Sequence, residues 1–164
     1  MQRLLKEGDG EVQVNLTENQ VAFIVDATTL VSRVIDGQFP NYEKVIPKEV
    51  ERTITANTKD LVNILKRVSI VARQNAEKAV FTLEKGNLVV SAESQEVGQG
   101  SEELEVQLEG DAIEIAFNVR YMIDALSVIE MENSTIELTG ALNPGVIKPQ
   151  HSDDFVYVVM PMQI

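Results

Sequence analysis

A ten-residue segment occurs twice in this chain, at residues 56–65 and again at residues 117–126, with a constant offset of 61. Both copies place an asparagine second, a basic residue two positions later, then an apolar pair, an Asn or Asp, and a final leucine. Each copy has the pattern of a capped amphipathic helix that follows an extended stretch. The repetition predicts that residues 44–164 form one domain of two similar halves. The alternative is chance, because capped amphipathic helices generally resemble one another.

The segments around the two copies predict an α+β fold. Period-two patterns bounded by turn residues predict strands at 12–17, 20–26, 29–35, 52–56, 79–84, 88–92, 102–108, 112–117, 135–139, 145–148 and 155–160. Helices are predicted at 4–8, 58–72 and 119–129. Asn57 or Thr58 can cap the second of these helices. A connector at 36–47 carries two prolines and a glycine, and it separates an N-terminal meander from the repeated region.

The last predicted strand is apolar on both faces. One face carries Phe155, Tyr157 and Val159, and the other carries Val156, Val158, Met160 and, beyond Pro161, Met162. One face can join the core, whereas the second needs a cover. That cover is either another layer of the same domain or the apolar side chains of a partner. Methionine suits a partner surface because its flexible thioether chain repacks around different guests.

Composition limits the classes of protein that fit. A chain of 164 residues holds one ordinary domain, or one domain and a fragment. It contains no cysteine, which excludes disulfides, thiolate metal sites and thiol nucleophiles. There is no apolar signal core and no run of membrane-spanning length, so we expect a cytoplasmic protein without a membrane partner. The formal net charge of -12 opposes nucleic acid at long range.

Catalytic chemistry has little support in the sequence. His151 is the only histidine, and it lies in a polar loop beside Asp153 and Asp154. Adjacent loop residues do not by themselves form an acid–base pair or a metal cage. There is no nucleophile elbow, phosphate loop or dinucleotide fingerprint. A small hydrolase that uses these three residues is one hypothesis, but the sequence predicts a non-enzymatic protein with no metal and no cofactor.

Basic residues recur along the first repeated helix. Lys59, Lys66 and Arg73 are spaced by seven residues, and Arg67 follows Lys66. The ordinary interpretation is a solvated helix face. The functional alternative is a surface that faces phosphates, which is effective only when several such helices surround one duplex.

Acidic residues cluster on and before the strand predicted at 102–108. They are Glu93, Glu96, Glu102, Glu103 and Glu105. Charged edge strands protect sheets from aggregation, and such an edge can also pair with a basic edge of another subunit.

Three motifs together resemble a known family. They are DGQFPNY at 36–42, FNVRYMIDAL at 117–126 and YVVMPM at 157–162. In this order and spacing they resemble the bacterial DNA polymerase III β subunit, the sliding clamp. A family member has three similar domains, and the resemblance implies that residues 1–43 are the end of the middle domain and residues 44–164 are the third. It implies the DNA-clamp fold, with antiparallel sheets outside and two amphipathic helices on the inner face.

The resemblance also implies a function. Family members are non-catalytic processivity factors: a ring of two subunits encircles double-stranded DNA without sequence preference and tethers the replicative polymerase. The implied partners are the α subunit of DNA polymerase III, the clamp loader and repair proteins, which dock through short linear motifs. The implied location is the nucleoid-associated cytoplasm. Because no first domain is present in this sequence, we expect that the chain does not close a ring in the usual manner. The alternative is a stand-alone clamp-fold domain that binds proteins but not DNA.

Site residues follow from the same resemblance. The implied peptide groove contains Pro40, Lys44, Val45, Asn118, Tyr121, Leu142, Val158, Met160, Pro161 and Met162. The implied subunit interface contains Ile70, Val71, Glu96, Glu102, Glu103 and Glu105. The implied DNA-facing residues are Lys59, Lys66, Arg67, Arg73 and Arg120. Gln163 departs from the family pattern, which commonly has arginine there. The other half of the groove belongs to the middle domain, so we expect weakened peptide binding.

Overall fold

The computed structural model describes residues 11–39, 41–84 and 86–164, in two compact units that divide between residues 40 and 41. The helix predicted at 4–8 therefore lies outside the described residues. The first unit is an antiparallel meander of β1 (Gln13–Leu16), β2 (Gln20–Val25) and β3 (Thr28–Arg33), as predicted. None of its described residues is buried.

The second unit contains two helices and two antiparallel sheets. A 3-10 turn at Tyr42–Lys44 leads into it. Its elements are β4 (Arg52–Asn57), α1 (Thr58–Ala72), β5 (Lys78–Glu84), β6 (Asn87–Ser94), β7 (Gly98–Glu105), β8 (Gln107–Glu109), β9 (Ile113–Asn118), α2 (Val119–Leu126), β10 (Asn133–Leu138), β11 (Gly145–Pro149) and β12 (Tyr157–Val159). One sheet has the order β12-β11-β10-β4-β8, and the other has the order β7-β6-β5-β9.

The two halves exchange their first strands. β4 pairs with β10 of the second half, and β9 pairs with β5 of the first half. At both crossings the first residue of the helix donates its N–H to a carbonyl just before the partner strand. Thr58 bonds Glu132 at 2.8 Å, and Val119 bonds Glu77 at 2.8 Å. The predicted internal repeat is therefore confirmed down to individual hydrogen bonds.

An asparagine caps each helix in the same way. Asn57 and Asn118 both have extended backbones, and each side-chain oxygen accepts from the N–H groups two and three residues later, at 3.0–3.2 Å. These bonds satisfy donors that a helix start otherwise leaves without a partner. The cap of α1 is thus Asn57 rather than Thr58.

The core lies between the helices and the two sheets. Leu61, Ile64, Leu65 and Val68 form the buried stripe of α1, and α2 contributes its own buried face, including Met122. Phe81 of β5 and Phe117 of β9 meet edge to face with their ring centroids 5.6 Å apart. The exchanged strands therefore bring the largest core side chains of the two halves into direct contact.

The last predicted strand, 155–160, is shortened to Tyr157–Val159, and most other strand ends move by one or two residues. Two predictions are wrong by more than that. The strand expected at 102–108 is two strands in different sheets, because the chain crosses between the sheets at the buried Val106, whose N–H bonds the Gly86 carbonyl at 2.8 Å. The second helix ends at Leu126 rather than Ile129, because Ile129 turns back to bond the Leu126 carbonyl and is itself buried.

The caps generate a stability prediction. Asn57→Ala and Asn118→Ala each leave two helix-start donors without their partner, so we expect each to lower the free energy of unfolding by about 1 kcal/mol. Urea unfolding followed by circular dichroism measures the change. Asn63→Ala is the matched control, because Asn63 is exposed within α1, where alanine favours the helix. Equal midpoints for the cap variants and the control would contradict the assigned caps.

Candidate functional site

The C-terminal segment joins both sheets of the second unit. β12 pairs with β11 at the edge of the five-stranded sheet. The chain then crosses to the other sheet, where Met162 donates its N–H to the Ala116 carbonyl of β9 at 2.7 Å. The other half contains the same pairing, between β8 and β4. There Gln107 lies opposite Thr55, the repeat equivalent of Ala116, just as Met162 lies opposite Ala116 here. The tail thus occupies in one half the place that β8 occupies in the other.

The two faces of the last strand differ in their surroundings. Val159 is buried, and Phe155 and Tyr157 pack against the core. On the opposite face, Val156 is 40% exposed and Met160 is 60% exposed. Within the second unit this face leaves Val156 and Met160 largely uncovered, whereas Val158 and Met162 are half-buried.

Helix α2 packs against β12. Tyr121 is 54% exposed on α2, one turn after the capping Asn118. Burial, followed by the nearby Asp124 carboxylate and the Tyr121 phenol, raises the pKa of the Tyr157 hydroxyl. The helix therefore meets β12 on the Tyr157 side of the strand, where the Tyr121 ring adds exposed apolar area.

The remaining groove candidates have mixed positions. Val158, Pro161 and Met162 are half-buried, and Leu142 is exposed in the turn between β10 and β11. Lys44 and Val45 lie in and just after the 3-10 turn, both exposed. Pro40 lies outside the described residues. Asn118, Tyr121 and the terminal segment thus come together around β9, α2 and β12.

The predicted DNA-facing cations are all exposed, and they lie on two helices that pack side by side. Their positions are Lys59, Lys66 and Arg67 on α1, Arg73 at its C-cap, and Arg120 on α2. Arg67 differs from the others, because its guanidinium donates two hydrogen bonds to the Glu102 carboxylate, at 2.8 and 2.7 Å. None of the other four takes part in the ion pairs found among the described residues.

The predicted interface residues surround the edge strand β7. Ile70 is 66% exposed near the end of α1. Val71 is half-buried against Gly100 of β7, whose added Cβ would lie 3.1 Å from the Val71 Cγ2. Glu96 lies in the turn before β7, and Glu103 and Glu105 are exposed on β7.

Glu102 lies on the other face of β7. It alternates with Glu103 and Glu105 along the strand, is half-buried, and turns towards α1 to pair with Arg67. The structure thus divides the acidic cluster between two faces of the strand, and only the packing of α1 on β7 shows that the Glu102 face meets Arg67. The Arg67 hydrogen bonds hold the pKa of Glu102 below its ordinary value, although desolvation acts in the opposite direction.

The loop predicted as a possible catalytic set is occupied by structural contacts. Asp153 pairs with Lys148 at 3.2 Å, and Asp154 accepts a hydrogen bond from Ser152. His151 has a positive φ of 62° and is exposed. Among the described residues no group of three or more metal-ligating side chains comes together. The described helices are also too short or too polar to cross a membrane.

Lys78 is a residue that the sequence reasoning missed. It begins β5 directly opposite Asn118 in the β5–β9 register, and its ammonium donates to the Gln163 carbonyl at 3.3 Å. Its place beside the groove depends on strand pairing, for which no local sequence signal exists.

Comparison with known proteins agrees with this geometry. The family model for the DNA polymerase III beta subunit, C-terminal domain, matches residues 43–163, and the model for its central domain matches residues 1–41. The chain belongs to the DNA polymerase III beta subunit family. The beta sliding clamp of Pseudomonas aeruginosa is 32% identical over 162 residues, covering 99% of this chain and 44% of the relative. That of Synechococcus elongatus is 32% identical, covering 98% and 43%.

Solved structures of beta subunits share the fold. The DNA polymerase III subunit beta from Pseudomonas aeruginosa superposes with a TM-score of 0.82 at 32% identity, covering 98% of this chain and 44% of that one. A sliding clamp from Bartonella birtlesii bound to griselimycin gives a TM-score of 0.82 at 27% identity, covering 96% and 42%. The expected α+β clamp fold is confirmed. The chain spans less than half the length of these relatives.

The Arg67–Glu102 pair generates a pH prediction. Because the pKa of Glu102 is lowered on folding, its contribution to stability is present above the unfolded-state pKa and is lost as the pH falls through the folded-state pKa. We expect the difference in unfolding free energy between wild type and Glu102→Gln to shrink between pH ~7 and pH ~3. Urea unfolding at each pH measures it. Glu103→Gln is the control, and a pH-independent difference for Glu102→Gln would contradict the assignment.

Proposed function

We propose that this chain is the C-terminal portion of a sliding clamp, a processivity factor whose second unit docks partner peptides and faces duplex DNA. In this proposal residues 1–43 belong to the middle clamp domain and residues 44–164 form the third. The uncovered apolar face of the last strand carries the proposal, because Met160 and its neighbours remain exposed beside α2.

Docking follows from the chemistry of this surface. Tyr121 and Met160 offer exposed apolar area to an extended segment, and Val158 and Met162 provide half-buried walls. Burial of apolar side chains drives association, and methionine adapts its shape to different guests. The implied guests are short linear motifs of the polymerase α subunit, the clamp loader and repair proteins. The sliding clamps of Pseudomonas aeruginosa and Bartonella birtlesii have been solved bound to griselimycin, which supports a ligand-binding role for the related surface of this chain.

DNA contact uses the helix surface in a different way. The exposed cations of α1 and α2 lie on the packed helix layer, whereas the two sheets supply the opposite side. Phosphate contacts of this type carry no sequence information, which suits a protein that slides. The protein performs no catalysis in this role. In a homodimeric ring of full-length family members, the surface formed by the edge strand β7, Ile70 and the exposed Glu103 and Glu105 is the one that meets another subunit.

Removal of the methionine walls tests the docking proposal. We expect Met160→Ala and Met162→Ala each to weaken griselimycin binding about tenfold, because truncating a buried contact side chain loses apolar area on binding. Isothermal titration calorimetry of the full chain measures the affinity. Val97→Ala is the control, because Val97 is an exposed apolar residue in the turn before β7. Unchanged affinity in both methionine variants would overturn the groove assignment.

A second candidate function is a protein-docking domain that does not bind DNA. The net charge of -12 favours it, and so does the neutralisation of Arg67 by Glu102. The two functions differ in whether the helix cations contact phosphates.

A salt titration with a short DNA duplex distinguishes the two functions. If the helix layer faces phosphates, the double variant Lys66→Gln, Arg73→Gln binds the duplex more weakly. Its plot of log K against log salt is also less steep by about 1–2, since each phosphate contact contributes ~0.9 to the steepness. Lys48→Gln, which removes an exposed charge outside the helices, is the control. Equal slopes in all three proteins, or no measurable binding, favour the second candidate.

A further inference from the structure

Lys78 is a half-buried cation without a carboxylate partner. The described half-buried cations are Arg52, Lys78 and Lys148. Arg52 and Lys148 each contact at least one carboxylate, at 2.9–3.2 Å. Among the described residues Lys78 takes part in no ion pair, and its ammonium donates a hydrogen bond to the Gln163 carbonyl. An ammonium has three donors, and partial burial without a counter-charge costs free energy.

The internal repeat shows that the fold does not require this charge. Lys78 lies opposite Asn118 in one half, and Asn133 lies opposite Asn57 at the equivalent place in the other. The Asn133 amide donates to Gln150 at 3.0 Å, so that position is satisfied within the domain. The same backbone therefore accepts a neutral residue where Lys78 stands.

The environment of Lys78 connects it to the docking surface. Met162 pairs with Ala116, two residues before Asn118 on β9, and the next residue, Gln163, receives the Lys78 hydrogen bond. The cation thus stands at the end of the methionine wall. Lys78 lines a concavity of about 760 Å³ together with Glu93, Glu96 and Ile164, but neither glutamate forms an ion pair with it.

The two equivalent tails differ in character. The apolar Met160 and Met162 stand beside the cation, whereas their counterparts in the other half are Glu105 and Gln107 beside the neutral Asn133. At the equivalent positions, the groove half therefore combines an apolar wall with the Lys78 charge, and its counterpart combines a polar wall with a neutral asparagine.

We propose that Lys78 recognises an acidic side chain of the docked segment, so that the groove prefers extended apolar peptides that carry an Asp or Glu. This inference rests on the proposed docking function and adds a specificity determinant to it. The net charge of -12 repels acidic peptides at long range, so a preference for them depends on local donors such as the Lys78 ammonium. Partial burial strengthens the pair, because charge-assisted hydrogen bonds gain when water is excluded.

The experiment compares two fluorescein-labelled pentapeptides with the same apolar residues, one containing Asp and one containing Asn. Both are amidated, so that only the side chain carries the test charge. In fluorescence anisotropy titrations we expect wild type to bind the Asp peptide about fivefold more tightly than the Asn peptide. Added salt should reduce this ratio of affinities, because it screens the charge pair. Lys78→Asn copies the other half, and we expect it to bind both peptides equally. Lys78→Arg retains the charge and should retain the preference.

The controls separate the possible failures. Lys48→Met removes an exposed charge elsewhere and should keep the wild-type ratio. Unaltered affinity of Lys78→Asn for the Asn peptide shows that the groove is intact. If wild type binds the two peptides equally, the proposed role of Lys78 is overturned while docking stands. The same conclusion follows if Lys78→Asn keeps the wild-type preference for the Asp peptide. If wild type binds neither peptide, docking itself fails and the inference fails with it.

Discussion

The exchange of first strands between the two halves is the constraint on which the second unit depends. β4 completes the sheet of the second half and β9 completes the sheet of the first, so neither half contains its own complete sheet. The capped helix that follows each exchanged strand is tied across the crossing by the bonds from Thr58 and Val119. The halves must therefore form together, and the Phe81–Phe117 contact joins their cores.

The same arrangement creates the docking surface. Each exchanged strand needs an outer neighbour, which is β8 for β4 and the C-terminal tail for β9. The tail pairs only at Met162 and leaves Met160 exposed, whereas β8 continues the sheet over three residues. Near-symmetric halves thus provide one polar sheet edge and one edge with apolar side chains, the proposed docking surface, because different side chains occupy equivalent backbone positions.

Sequence patterns predicted most of the fold but only part of the site. The 15-residue α1, the presence of a cap at each helix start and the two faces of the last strand followed from periodicity and capping chemistry, which act over a few residues. The break at Val106 could not be predicted in this way, because the strand pattern of the sequence continues through Val106. The residues before it pair with β6, whereas the residues after it pair with β4 of the other sheet. Likewise, the sequence grouped Glu102 with Glu103, but the alternation along β7 sends one to Arg67 and the other to solvent.

By itself the sequence determined the repeat, the elements and the family, because each is encoded in residues close together along the chain or in motifs of fixed order. Only the tertiary structure decided which charges are neutralised and which remain available. In the sequence, Arg67 and Lys78 are both simply basic residues. Strand pairing places the Glu102 carboxylate beside Arg67, and it places the Gln163 carbonyl, next to Met162, beside Lys78. Such partners are 35 and 85 residues distant along the chain, so no local pattern records them.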